Sequence, residues 1–279
     1  MDEERSVLLI SRLRAVASDF VQQHESRVRL LTARARERRW SIFAFGGVPR
    51  GFVEHGARYM PRDLDLVFDD ESFEEFSQEF SQQITRRTRF GGLHLSLSGL
   101  DVDAWPLSAT WAFREKLVNR ISFECLPETT FLNLDGIVIQ FATRQGKARA
   151  VYAGGLEKVR KSKALDIELL PNPYPALCVV RSIRLANARL LPLSPRLARY
   201  CLQELSTRNL SEFIEIQASH YNSVFYPENA LKRIRFELER HLDQTPLFNF
   251  SIVSQGHFWE NDLYVGAPCS QRMSQIKAI

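Results

Sequence analysis

Two short runs of this sequence alternate acidic and apolar side chains, Asp63-Leu-Asp-Leu-Val67 and Leu100-Asp-Val-Asp-Ala104. A period of two belongs to an extended strand, whose successive side chains point to opposite faces. Asp63 and Asp65 then share one face while Leu64 and Leu66 enter the core. Asp101 and Asp103 share a face of a second strand in the same way. A helix would scatter the same residues around its axis.

Two carboxylates side by side repel each other unless a cation lies between them. A carboxylate pair holding Mg²⁺, or Mn²⁺ in its place, against a substrate phosphate is a common solution. Upstream, the apolar run Ile42 to Phe45 is closed by Gly46-Gly47 and Pro49, which reads as a buried strand entering a tight turn. Glycines there let backbone N–H groups approach phosphate oxygens, and Arg50 adds a phosphate-directed fork. A second metal needs a third acid, for which Asp103 is favoured because it sits deepest before the aromatic Trp105, with Asp101 as its substitute. Singly, each element has a plainer reading, a Gly-Gly turn or an edge strand with a wet face. The order strand, Gly-Gly, acidic strand, second acidic strand is what points to metal-assisted phosphate chemistry.

Around this segment, residues 4–39 carry apolar side chains at three- and four-residue steps and read as helical. Phe73, Phe76 and Phe80 fall on one face of an acidic helix, and residues 111–117 also read as helical. Leu93 to Leu97 is strand-like. Phe131 to Phe141 reads as a helix end or a strand followed by a hairpin. Pro171, Pro173 and Pro175 mark a boundary, beyond which residues 176–242 read as successive helices, one carrying Leu231, Ile234, Leu238 and Leu242. The expected division is an N-terminal helical segment 1–39, a catalytic head 40–170 and a helical region 171–279.

Charge is segmental. The whole chain has 37 Lys+Arg against 33 Asp+Glu, a formal +4, yet residues 27–39 hold six Arg against one Glu. That run is either a solvated helix face or a surface turned toward a polyanion. Arg86, Arg87 and Arg89 form either a basic loop or an acceptor contact, and Lys158, Arg160, Lys161 and Lys163 form a further cluster. His55 is expected in a loop between Arg50 and Asp63. The four cysteines, Cys125, Cys178, Cys201 and Cys269, show no metal-ligand spacing and are expected reduced. An acidic N-terminus and the lack of a long apolar run lead to the expectation of a cytoplasmic protein with no membrane partner. The C-terminal aromatics Phe248, Phe250, Phe258, Trp259 and Tyr264 are expected to pack a core rather than stack on bases.

These residues resemble the DNA polymerase β-like nucleotidyltransferases, and within them the head and neck of CCA-adding enzymes and bacterial poly(A) polymerases. Thr130-Phe-Leu-Asn-Leu-Asp135 is similar to that family's Phe-Thr-Ile-Asn segment. Tyr152-Ala-Gly-Gly-Leu-Glu-Lys158 is similar to its Gly-Gly-Leu-Glu link, and Cys178-Val-Val-Arg-Ser-Ile-Arg-Leu-Ala186 resembles its neck helix. The likeness runs from Trp40 to Pro195. It implies an α+β head, a mixed sheet with helices, followed by a mostly α-helical C-terminal region. It further implies transfer of a nucleoside monophosphate from an NTP to a hydroxyl, an RNA (tRNA) 3′ end or a nucleotide, with release of pyrophosphate. Asn133, Arg181 and Arg184 would face the nucleotide beside Gly46, Gly47 and Arg50, and Asp63, Asp65 and Asp103 would hold the metal.

The sequence also departs from the family. Gly51 stands where an acid is usual, Glu128-Thr129-Thr130 replaces Arg-Arg-Asp, and no Glu-Asp-x-x-Arg pattern follows Arg184. An end at Ile279 is early for a full tRNA-holding body. The expectation is therefore a specialised enzyme, such as a toxin or defence enzyme, rather than a housekeeping CCA-adding one. The alternatives are transfer to a protein or small molecule, and a non-catalytic nucleotide- or RNA-binding subunit that serves a partner protein.

Overall fold

The computed structural model describes residues 2–56, 59–143, 147–242 and 247–248. The chain divides into two compact units, one of residues up to Ser162 with Glu168–Leu170, the other of Lys163–Ile167 with residues from Pro171 on.

The first unit is built on a seven-stranded mixed sheet. Its strands are β1 (Ile42–Ala44), β2 (Asp63–Phe68), β3 (Ile84–Arg87), β4 (Leu93–Leu97), β5 (Leu100–Pro106), β6 (Val138–Gln140) and β7 (Val151–Tyr152), in the order β3-β4-β5-β2-β1-β6-β7. Neighbours are antiparallel except β2 and β5, which run parallel. One sheet face carries Phe43, Val67, Leu107, Phe113, Leu126 and Val138 in a single apolar cluster. Asp63 and Asp65 have the same strand parity as Val67, so that face runs from carboxylates at one end to packed core at the other.

The helical stretch at the start is two helices, α1 (Asp2–Gln23) and α2 (Glu25–Arg38), parted at His24. Both belong to this first unit, and Phe20 of α1 meets Phe52 with ring centroids 4.9 Å apart. Phe52 lies on α3 (Gly47–His55). The segment after Gly46-Gly47 is thus a helix and not the loop expected from its glycines. Pro49 is tolerated because it falls in the first turn, where its missing N–H has no intrahelical partner. His55 closes this helix, half-exposed, 3.7 Å from Glu54 and stacked on Tyr59.

The acidic helix is α4 (Asp70–Glu79), whose Phe76 packs on Phe68 and Trp40. Asp69 caps it, accepting from both the N–H and the hydroxyl of Ser72 at 2.8 Å. Asp69→Ala should lower stability by about 1 kcal/mol in urea unfolding, the usual cost of a lost cap. An unchanged midpoint would mean that water serves the Ser72 N–H equally well.

Arg86 and Arg87 are on the edge strand β3, which pairs with β4, rather than in a loop. The helix expected over 111–117 is the short α5 (Trp111–Arg114), ended by Lys116 at φ 56. Phe131 to Phe141 resolves into a 3-10 turn, Asn133–Asp135, and β6, whose hairpin partner is β7. Then α6 (Gly154–Ser162) follows, and Lys158 pairs with Glu168.

The second unit is helical: α7 (Pro175–Arg189), α8 (Pro195–Thr207), α9 (Leu210–Tyr221) and α10 (Glu228–His241). Leu231, Ile234 and Leu238 form the buried stripe of α10. Cys178 and Cys201 are buried free thiols, and burial pushes the Cys201 thiol pKa up. Phe248 bridges Leu193. Cys269 and the aromatics from Phe250 onward lie outside the described residues. No helix among the described residues is long and apolar enough to cross a membrane.

Candidate active site

The parallel pairing of β2 with β5 sets Asp63 beside Asp101 and Asp65 beside Asp103. All four side chains leave the same face of adjacent strands, spaced roughly 4.8 Å across the pair. Asp65 is partly buried and closely approached. A Cβ on Gly46, which has φ 66, would come within 2.8 Å of the Asp65 carboxylate. Only glycine meets both conditions, the left-handed backbone and the close approach. Phe45 N–H donates to the Asp65 carbonyl at 3.0 Å, and α3 begins at Gly47, so its first N–H groups open beside that carboxylate.

Two residues that the motif reading passed over complete the face. Arg62 donates to Asp63 at 2.8 Å, and its pKa is raised by Asp63 first, then by the charges of Asp65 and Asp103. The guanidinium bonds Asp63 and feels the charges of Asp65 and Asp103. His94 on β4 stands opposite Asp103, with its Nδ1 2.8 Å from Asp103 Oδ1. This contact is latent in the sequence. Ser98 and Gly99 both have positive φ in the tight β4–β5 turn, and pairing Leu97 with Leu100 carries the register back to His94 and Asp103. Asp101, by contrast, is exposed and lies opposite Ser96.

Other expected site residues are placed differently. Arg50 is engaged by Asp135 in a largely buried ion pair, so its fork is not open to a phosphate as placed. Asn133 is 2 % exposed, in the 3-10 turn packed against the start of α6. Arg181 and Arg184 belong to the second unit, where the Arg184 guanidinium lies over the rings of Tyr221 and Phe225, 4.6 and 4.3 Å from their centroids. Gly51 has a local reason: a Cβ there would fall 2.1 Å from the Tyr59 ring, which fills the space an acidic side chain would need.

Solved structures share this arrangement of strands and helices. A CCA-adding enzyme in complex with CTP superimposes with a TM-score of 0.52 at 15% identity, over 80% of this chain and 54% of the other. A CCA-adding enzyme in complex with ATP does so with a TM-score of 0.51 at 16% identity, over 76% and 51%. The fold is that of the CCA-adding enzymes. This chain spans about half the length of those CCA-adding enzymes. No family model and no curated protein matches the sequence.

The donor set on the CCA-adding fold suits a divalent cation in kind, three carboxylates on one face with backbone N–H groups beside them. In their present rotamers, no three His, Cys, Asp or Glu side chains among the described residues converge as a metal set. Asp63 is turned to Arg62 and Asp103 to His94.

Proposed function

We propose that this chain is a metal-dependent nucleotidyltransferase that moves a nucleoside monophosphate from an NTP to the 3′ hydroxyl of an RNA. The observation that carries this reading is the in-register row of Asp65 and Asp103 beside Gly46, at the start of α3. The fold it shares with CCA-adding enzymes solved with CTP and ATP supports it.

Asp63, Asp65 and Asp103 would hold Mg²⁺ or Mn²⁺, which supplies charge for the triphosphate and a lowered pKa for the attacking hydroxyl. The chain's own residues orient the reactants. The acceptor oxygen attacks the α-phosphorus, the α–β anhydride bond breaks, and pyrophosphate leaves. Gly46 and Gly47 expose N–H groups to the triphosphate, and a Cβ at Gly47 would meet only the Arg50 guanidinium, at 3.8 Å. His94 holds one oxygen of Asp103 at 2.8 Å, and Asp103, turned to the metal when it is bound, would accept the proton of the attacking hydroxyl. Arg62 offsets the three carboxylates before a nucleotide binds and is then available to its phosphates.

Purified protein given each labelled NTP with RNA and Mg²⁺ should release pyrophosphate and extend the RNA. Chelation should stop release and Mn²⁺ should restore it. Silence under every NTP and acceptor would overturn the reading. Within the acidic row, Asp103→Asn should cost about 10²-fold or more, whereas Asp101→Asn should cost less than about threefold, because only Asp103 is abreast of Asp65 and held by His94. The reverse order would assign the third carboxylate to Asp101.

A further inference from the structure

The arginine run of α2 is sorted by its neighbours. Arg34 pairs with Glu79 at 3.0 Å and Glu37 at 2.7 Å, and Arg38 reaches Glu79 at 3.6 Å. These side chains are spoken for by acids of α2 and α4. Arg36 and Arg39 make no ion pair among the described residues. They line a cavity of about 260 Å³ with Lys147, Ser41, Gln140 and Thr143, and no acid among the described residues contributes to its wall.

Behind this wall sits a fourth cation. Arg149 is 7 % exposed, donates to the backbone carbonyls of Gln140 and Phe141, and leaves its Nε without a partner. Burial, and then the charge of Arg36, push its pKa down to about 10. Like charges gathered at the edge of the core repel, and nothing among the described residues offsets them. Arg39 also stands at a position that glycine can take. It takes the αL position after α2, φ 63, where glycine is the usual and least strained residue.

The cavity lies at the far end of the sheet from the carboxylates. Ser41 accepts from the N–H of Asp69, just past the last residue of β2, whereas Asp63 is the first. The length of β2 separates the two, roughly 16 Å.

We propose that this pocket is a second phosphate-binding site, taking the phosphate group of a nucleic-acid strand or of a free nucleotide. Arg36 and Arg39 offer planar forks and Lys147 a point charge, while Ser41 and Thr143 add hydroxyl donors, a set matched to tetrahedral phosphate oxygens. The site stands whether or not the acidic face transfers nucleotides.

The test is binding in EDTA, so that no metal recruits anions to the acidic face. A short labelled single-stranded RNA is followed by anisotropy at low and physiological salt, and pyrophosphate and AMP by calorimetry. Wild-type protein should bind at least one probe. Arg39→Gly, and Arg36→Gln with Lys147→Gln, should each weaken that binding about tenfold or more, with melting temperature unchanged or raised. For RNA, the slope of log K against log salt should also fall by about one for each cation removed. RNA binding without pyrophosphate or AMP binding assigns the phosphate to a strand, and binding of the small probes assigns it to a free nucleotide. No binding by wild type, or equal binding by the variants, overturns the proposal.

Discussion

Asp65→Asn should lower NTP-dependent pyrophosphate release by about 10³-fold or more, roughly 4 kcal/mol, while the protein folds normally. Asparagine keeps the size of the side chain and removes its charge. The position is central: the carboxylate lies against Gly46, its strand neighbour is Asp103, and Arg62 feels its charge. Packing beneath it is carried by Leu64 and Leu66, which the substitution leaves in place. Loss of release with an unchanged thermal transition would put the effect in the chemistry. Release equal to wild type would remove Asp65 from the mechanism.

The second large effect is on stability. Gly155→Ala should cost about 3 kcal/mol or more and lower the thermal midpoint by roughly 6–12 °C. A Cβ at Gly155 would come within 2.2 Å of the Asn133 carbonyl oxygen and 2.8 Å of the Gly136 Cα. Both obstacles are backbone, so no rotamer change relieves them, and α6 or the 3-10 turn must shift. That turn carries Asp135, the partner of Arg50, so the ends of α3 and α6 are tied through it. Differential scanning calorimetry of the variant decides the matter. A midpoint within a degree or two of wild type would mean that the turn yields cheaply. Gly154→Ala is the control, since a Cβ there meets nothing within 4 Å.

The acidic face was legible because its signal is local. Period two places Asp63 with Asp65, and Asp101 with Asp103, whatever the strands pair with. The pairing itself was not: that β2 and β5 run parallel and in step depends on how α4, β3 and β4 fold between them. Ion-pair choice is equally non-local. Arg50 looked free because Asp135, its partner, stands far along the chain, and Arg34 and Arg38 found Glu79 across a helix–helix contact. The helix α3 was hidden by its own glycines, whose usual meaning is a turn. That helix is tied down by a distant contact, Phe52 on Phe20 of α1, which local sequence does not show.

The lone parallel pairing in an otherwise antiparallel sheet also divides the acidic row into a local and a non-local part. The β4–β5 hairpin closes over a two-residue turn and places His94 against Asp103 early, from local chain alone. Bringing Asp65 beside it closes the long loop of α4, β3 and β4, a non-local step that costs chain entropy. The hairpin that holds Asp103 and His94 is the local half of the row and the β2–β5 pairing its non-local half, with Arg62 next to the acids it offsets. A variant lacking the Arg62 charge should reveal this as a slower folding phase at low salt.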